Sequence, residues 1–326
     1  MIIKNIKARK IKNSRNEDTI EILVKSSIGK AKASSPAGKS KGKYEKKYYK
    51  GSINRVIKEI NSFKKLNNLE INSFADLIKV ENIFDFGTNP NIALEYAILK
   101  NFKEPFKNFN FGYKYLPIPL GNVIGGGLHT KGIKPDFQEF LVYVQNCSDF
   151  NKRVKINNIV YREVKKELNK LDKNFNNKIN DENAWSTSLN NLKVLDLLFN
   201  ITEKLSDKLG FRIRIGIDIA ASTFYKNNHY HYKNHSSENK AAKLTKEEQI
   251  EFLSHLVKEY KIGYLEDPLE ENDFSGFKEL RKNISDCLVT GDDLTVTNLE
   301  RVRKTINENC VDAIVIKTNQ IGSLID

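Results

Sequence analysis

The chain has 326 residues, of which 39% are hydrophobic and 29% are charged, and its formal net charge is +13. This balance predicts a folded protein of one large or two moderate domains and excludes a disordered chain. No apolar run reaches the roughly 18 residues of a transmembrane helix, no signal-peptide core is visible, and three isolated cysteines indicate neither a zinc site nor a disulfide framework, so a cytoplasmic protein is expected.

The positive charge is spread along the whole chain. The segment KSKGKYEKKYYK, residues 39–50, mixes lysines with aromatic residues, as nucleic-acid-binding surfaces do. Lysine nevertheless accompanies Asn and Ile throughout the sequence, so a general compositional bias explains most of the charge. Nucleic-acid binding is therefore a minor alternative for the function. A basic surface would also attract small phosphorylated anions.

Residues 1–116 predict an α+β domain. A strand and a turn precede an alternating strand at residues 19–24, and SSPAGKSKG has the composition of a loop. Two later segments, INRVIKEINSFKKL and NPNIALEYAILKNF, have apolar residues at helical spacing.

Residues 117–326 predict a β/α domain. Prolines and three consecutive glycines in LPIPLGNVIGGGLH mark the junction, a strand follows at residues 137–144, and a polar helical region continues to about residue 180. Strands and helices then alternate, with strands at 212–218, 263–267, 287–293 and 313–317 and helices at 245–260, 274–283 and 299–307. This rhythm predicts a parallel sheet that either stays open or closes into a barrel.

Each of the last four predicted strands ends in an ionisable residue, namely Asp218, Glu266, Asp292 and Lys317. Because the carboxyl ends of parallel strands meet at one face, three carboxylates should converge there. Oxygen ligands at this density suit Mg²⁺, and a lysine beside a divalent cation can act as a base near neutral pH. The alternative is that acids at strand ends, such as Asp267 and Asp293, cap the helices that follow.

The sequence around these strand ends resembles the enolase family. The motifs that carry the resemblance are, in chain order, ARKIKNSRNEDTIEI, SSPAGKSKG, LPIPLGNVIGGGLH, QEFLV, GIDIAASTFY, YLEDPLEENDF, GDDLTVTN and IKTNQIGSL. They cover nearly the whole chain, and GDDLTVTN is highly specific. The resemblance implies an N-terminal α+β domain at residues 1–116 and a TIM-like β/α barrel at residues 117–326.

The resemblance implies phosphopyruvate hydratase activity, the Mg²⁺-dependent dehydration of 2-phosphoglycerate to phosphoenolpyruvate in glycolysis and gluconeogenesis. By the same resemblance, the first Mg²⁺ is held by Asp218, Glu266 and Asp292, and the last two also face the substrate. A homo-oligomer is implied as well.

The family's remaining site residues also have counterparts here. Lys317 corresponds to the base that removes a proton next to the substrate carboxylate, and Glu182, in NDENAW, corresponds to the acid that helps hydroxide to leave. His129 and Glu139 correspond to residues that line the substrate site.

Two departures from the family pattern weaken this assignment. Asn183 and Ala184 replace two glycines that follow the acid, so Glu182 is expected to sit differently if the loop needs the backbone freedom of glycine. Ala37 replaces a serine that binds a second Mg²⁺, and a backbone carbonyl is the remaining candidate ligand.

A histidine cluster, HYHYKNH, contains His229, His231 and His235, and a solvated loop is the favoured interpretation over a transition-metal site. Compared with the family's eight-stranded barrel, Lys317 ends the sixth strand, so a barrel without its last two strands is expected. An active hydratase is the leading interpretation, and a catalytically impaired enolase-like binding or scaffold protein is the alternative.

Overall fold

A computed structural model describes residues 1–36, 38, 42–102, 116–238 and 241–326. The described residues confirm the predicted α/β fold class, with an N-terminal antiparallel sheet and a later β/α region. They form two compact units. The first contains residues 1–114, 296–299 and 316–326, and the second contains residues 115–295 and 300–315. The predicted role of Ala37 lies outside the described residues.

The strands of the described residues are β1 (Ile3–Lys12), β2 (Asp18–Ser26), β3 (Lys30–Ser34), β4 (Gly121–Gly125), β5 (Glu139–Val144), β6 (Trp185–Ser186), β7 (Ile213–Asp218), β8 (Tyr225–Lys226), β9 (His229–Tyr232), β10 (Ala242–Leu244), β11 (Tyr264–Glu266), β12 (Leu288–Gly291) and β13 (Ala313–Ile314).

The α-helices of the same residues are α1 (Ile53–Ser62), α2 (Leu77–Glu81), α3 (Thr88–Leu99), α4 (Phe150–Leu171), α5 (Asn191–Leu209), α6 (Lys246–Glu259), α7 (Phe274–Asn283), α8 (Leu299–Glu308) and α9 (Thr318–Ile321). None of them is long and apolar enough to cross a membrane.

The first unit is built on the antiparallel sheet β1-β2-β3. Alternate residues of β2, such as Ile20, Ile22 and Val24, are fully buried, as a strand with one core face requires. Helices α1 and α3 supply the opposite side of this core, including Val56 and Ile98. Burial of these branched side chains stabilises the unit by roughly 1.5–3 kcal/mol for each large residue.

The second unit contains a seven-stranded sheet in the order β13-β12-β11-β7-β5-β4-β6. The four strands β7, β11, β12 and β13 run parallel, as predicted, and β5 pairs antiparallel with both β4 and β7. Among the described residues, the end strands β13 and β6 do not pair with each other, so the barrel is not closed. The carboxyl ends of the parallel strands therefore define one edge of this sheet.

Two features of the second unit differ from the prediction. Helix α5 was not predicted, although Asn190 caps its first turn by accepting the N–H of Lys193 and Gly210 ends it in the left-handed region. His229 and His231 lie in strand β9 of a small sheet, β10-β9-β8, rather than in a loop. The alternation of β9 buries its two tyrosines and turns both histidines to the other face.

A buried carboxyl group distinguishes the first unit. Glu95 on α3 is 1% exposed and accepts a 2.8 Å hydrogen bond from the backbone N–H of Leu324. Burial, and then the negative charge of Glu81, raise the pKa of Glu95 to about 9. Glu95 is therefore protonated at neutral pH in the folded state.

We expect this proton to make stability depend on pH. In the unfolded chain the carboxyl group of Glu95 loses its proton near the ordinary pKa of 4.5. In the folded state it keeps the proton up to about pH 9. The free energy of unfolding should therefore fall as pH rises between about 5 and 9, by at most roughly 1.4 kcal/mol per pH unit. Glu95→Gln, which mimics the protonated acid, should flatten this dependence in urea unfolding followed by circular dichroism. The exposed Glu247→Gln variant is the matched control, and equal slopes for all three proteins would contradict the assignment.

Candidate active site and metal centre

Two carboxylates lie side by side at the ends of neighbouring parallel strands. Asp218 is the last residue of β7 and Glu266 is the last residue of β11, and the two are direct partners in the strand register. Asp292 comes immediately after β12, whose residue Thr290 is the register partner of Glu266 on its other side. Parallel register thus brings the three predicted carboxylates to one edge of the sheet.

Asp218 is almost completely buried, with 6% exposure. Its carboxylate oxygens accept hydrogen bonds from Gln138 Nε2 at 2.9 Å and from the backbone N–H of Ala220 at 3.0 Å. Burial, and then the charges of Glu266, Glu139 and Asp267, raise the pKa of Asp218 well above its ordinary range. The site is therefore short of positive charge in the absence of a cation.

A second grouping of acids includes a residue that the sequence analysis had considered a helix cap. Glu266, Asp267 and Asp292 each offer a carboxylate oxygen, and these oxygens lie within 4.8 Å of one another. Asp267 accepts the backbone N–H groups of Asp292 at 3.0 Å and Asp293 at 2.7 Å. Asp267 thus shapes the turn after β12 and does not cap a helix.

The donor atoms of this edge fit a hard divalent cation. Asp218, Glu266 and Asp292 supply only carboxylate oxygens, the ligand type that Mg²⁺ prefers. The burial of Asp218 among other acids is costly without a compensating positive charge. These residues could therefore hold Mg²⁺.

His129, Glu139 and Glu182 form a second polar group in the same unit. His129 Nδ1 lies 2.7 Å from Glu182 Oε2 and 3.2 Å from Glu139 Oε1. His129 Nε2 is buried without a hydrogen-bond partner among the described residues. The structure thus brings together three residues spread over 53 positions of the chain, and it leaves Nε2 of the imidazole for a ligand.

A glycine turn delivers His129 to this group. Gly126 has no room for a side chain, since a Cβ there would lie 2.3 Å from the carbonyl oxygen of Phe137 and 2.6 Å from that of Pro135. The segment after β4 can therefore pass close to the start of β5, where Glu139 lies.

The pKa values of His129, Glu139 and Glu182 are shifted in different directions. Burial disfavours the imidazolium form of His129, but the two carboxylates outweigh it and raise its pKa to about 9. Burial, and then contact with Glu182, raise the pKa of Glu139, whereas His129 outweighs burial and lowers the pKa of Glu182. Glu139 is therefore the more readily protonated carboxyl of the pair, and His129 lies beside both.

Lys317 lies in the first unit, three residues beyond the end of β13. The predicted strand at residues 313–317 is thus shorter in the structure. Lys317 is exposed, and its backbone N–H donates to Thr297 Oγ1 at 2.9 Å. The Lys317 side chain remains a predicted base.

Sequence reasoning missed two residues that support the site. Gln138 stabilises the carboxylate of Asp218 by donating a hydrogen bond from its side-chain amide, and Asp267 orders the turn that holds Asp292. Gln138 immediately precedes the predicted Glu139, and Asp267 immediately follows the predicted Glu266. Their proximity was visible in the sequence, but their hydrogen-bond partners come from distant strands.

Comparison with known proteins gives consistent matches. Residues 113–326 match the model of the enolase C-terminal TIM barrel domain. Over 342 residues the chain is 33% identical to the enolase of Methanosphaera stadtmanae, covering 100% of this chain and 82% of that relative. It is 34% identical to the enolase of Methanocorpusculum labreanum over 343 residues, covering 99% of this chain and 83% of that relative. It is 33% identical to the enolase of Pyrobaculum aerophilum over 342 residues, covering 97% of this chain and 80% of that relative.

We expect the cationic state of His129 to depend on its two carboxylates. In metal-free protein, the ring of His129 should titrate near pH 9, and Glu182→Gln should shift its pKa towards the ordinary value of 6.5. Imidazole NMR can follow this titration. Glu259→Gln, which removes the partner of the surface residue His255, is the matched control and should leave His129 unchanged. An unshifted His129 in Glu182→Gln would contradict the ion pair.

Mg²⁺ should stabilise the folded chain through Asp218. At about 100 times its dissociation constant, a cation that binds only the folded state adds roughly 2.7 kcal/mol to the free energy of unfolding. Asp218→Asn keeps the size of the side chain but removes its charge, so its unfolding temperature should respond much less to Mg²⁺. Asp207→Asn, on the exposed side of α5, is the control. An equal response of Asp218→Asn and the original chain would contradict the proposed ligand.

Proposed function

Since this chain belongs to the enolase family, we propose that it is a phosphopyruvate hydratase, a hydro-lyase. It would convert 2-phosphoglycerate to phosphoenolpyruvate and water, a step of glycolysis and gluconeogenesis. The observation that carries this proposal is the placement of Asp218, Glu266 and Asp292 at one edge of the parallel sheet, with carboxylate oxygens of Glu266 and Asp292 within 4.8 Å of each other. Clustered carboxylates would repel a substrate that carries several negative charges. They suit such a substrate only when they hold a cation that attracts it.

Asp218, Glu266 and Asp292 would hold one Mg²⁺ through oxygen atoms, and Glu266 and Asp292 would also face the substrate. When bound, Mg²⁺ would supply the positive charge that offsets the negative charge developing on the substrate carboxylate. A second Mg²⁺ would need a ligand other than the side chain of Ala37, such as a backbone carbonyl.

Lys317 would accept the proton from the carbon next to the substrate carboxylate. Glu182 would donate a proton to the departing hydroxide, so that water leaves. For this step Glu182 would first receive a proton from the adjacent carboxyl of Glu139, whose pKa is raised, and the 2.7 Å contact with His129 holds Glu182 in the group. His129, through its unpartnered Nε2, and Glu139 would bind the substrate.

The remaining features of the chain are compatible with this activity. The net charge of +13 favours a small phosphorylated substrate by long-range attraction. We further propose that residues 1–116 and 117–326 are its two domains, that it works in the cytoplasm and that it forms a homo-oligomer. Neither a membrane nor a nucleic acid is proposed as a partner.

The direct test follows phosphoenolpyruvate formation from 2-phosphoglycerate and Mg²⁺ by ultraviolet absorbance. Chelation of Mg²⁺ should abolish turnover, and added Mg²⁺ should restore it. Lys317→Ala should lower kcat by about a thousandfold, the usual contribution of a positioned base. Lys243→Ala, at an exposed position in β10, is the matched control and should retain turnover.

The outcome separates the proposed activity from the alternative. Turnover that survives in Lys317→Ala would contradict the assigned base. A folded, Mg²⁺-binding chain without any turnover would instead indicate a catalytically impaired enolase-like binding or scaffold protein.

A further inference from the structure

The loop that carries Glu182 is a short hairpin closed at its base. Ile179 and Trp185 form an antiparallel bridge across it, and the backbone N–H of Asn180 donates to the carbonyl oxygen of Ala184 at 2.9 Å. Glu182 lies near the tip of this loop, and its side chain is 34% exposed. An acid on such a short loop keeps its position only if the backbone of the loop is fixed.

Asn180 fixes that backbone from inside the loop. Its side-chain Oδ1 accepts the N–H groups of Glu182 and Ala184, each at 3.0 Å. Its carbonyl oxygen accepts the N–H of Asn183 at 3.1 Å. All three consecutive N–H groups from Glu182 to Ala184 thus donate to oxygens of one residue, which leaves the loop little freedom to change conformation.

The same hydrogen bonds hold this loop with Asn183 and Ala184 at the positions where the family pattern has two glycines. Asn183 adopts a φ of 62°, in the left-handed region, which asparagine tolerates better than most residues. Asn180 also packs closely against Gly125 of β4, where an added Cβ would lie 2.2 Å from its Nδ2 atom. The loop is therefore shaped by asparagines on both sides of Glu182 and by a glycine in the strand beneath it.

Aromatic residues hold the outer side of the loop. Tyr161 on α4 donates its hydroxyl to the carbonyl oxygen of Asn183 at 2.7 Å, and its ring stacks on Trp185 at a centroid distance of 4.7 Å. Trp185 Nε1 donates back to the carbonyl oxygen of Tyr161 at 3.0 Å. The loop is thus attached to a long helix as well as to the sheet.

We propose that Asn180 is the positioning residue of the site, which holds Glu182 against His129 by binding the backbone of the loop. This inference rests on the proposed function for its catalytic consequence, since Glu182 is the acid in that proposal. In this proposal Asn180 acts through the position of Glu182 and not on the substrate. Its removal should affect the step in which Glu182 acts more than substrate binding.

The test compares Asn180→Ala with Asn180→Asp, which keeps a side-chain oxygen that can accept both N–H groups. Asn180→Ala should lower kcat by about 10- to 100-fold, as expected from a small displacement of a catalytic group, with a smaller change in KM. Asn180→Asp should recover most of this loss. Asn176→Ala, which removes a similar hydrogen bond to the N–H of Lys178 outside the loop, is the matched control.

A second readout does not require turnover. Amide hydrogen exchange at Glu182 and Ala184 should become at least about fivefold faster in Asn180→Ala and remain slow in Asn180→Asp. Trp185 is the only tryptophan of the chain, so its fluorescence reports on this loop alone. It should shift in Asn180→Ala and not in Asn176→Ala.

The two readouts separate the failure of this inference from failure of the proposed function. If the original chain has no turnover, the proposed function fails, while exchange and fluorescence still decide whether Asn180 orders the loop. Unchanged exchange in Asn180→Ala, or faster exchange with unchanged kcat in an active enzyme, overturns the positioning role. If Asn180→Ala does not fold, Asn180→Asp decides the question. Slow exchange and near-normal kcat in Asn180→Asp support the positioning role, whereas fast exchange and a low kcat in a folded Asn180→Asp overturn it.

Discussion

The candidate site depends on one electrostatic constraint, the convergence of like charges at the ends of parallel strands. Parallel register makes Asp218 and Glu266 neighbours, and the turn after β12 adds Asp292. In water such carboxylates repel only weakly, but burial of Asp218 removes the screening, so the charged state becomes unfavourable. The sheet can keep this arrangement because its apolar core fixes the strands, so the carboxylates cannot move away from one another.

The chain lessens this repulsion with neutral and dipolar groups of its own. The side-chain amide of Gln138 and the backbone N–H of Ala220 both donate to Asp218, and two further backbone N–H groups donate to Asp267. These bonds orient the carboxylates, but they carry no net positive charge. The cationic His129 compensates Glu139 and Glu182 instead. Within the described part of the second unit, the strand-end acids thus form the region where a bound cation would contribute most to stability.

The sequence predicted those features that follow from local periodicity. Helix α7 has the predicted bounds, and the strands that end at Asp218 and Glu266 could be recognised from apolar runs followed by an acid. The omission of α5 was avoidable, because Asn190 and Gly210 are ordinary signals for the start and end of a helix. The placement of His229 in a strand was harder to predict, because β9 is ordered by pairing with β8 and β10, and such pairing leaves no clear signature in a four-residue segment.

The loop around Glu182 shows why a departure from a family motif does not by itself indicate loss of a site. From the sequence, Asn183 and Ala184 in place of glycines indicated a displaced acid only if the loop needs the φ range of glycine, and Glu182 remained the predicted acid. In the structure, Asn183 still adopts the left-handed conformation, and Asn180 binds the N–H groups on both sides of it. Glycines allow a loop many conformations, whereas side-chain hydrogen bonds select one of them. The loop of this chain therefore has less entropy to lose when Glu182 is held in place, which favours a site that is ordered before substrate binds.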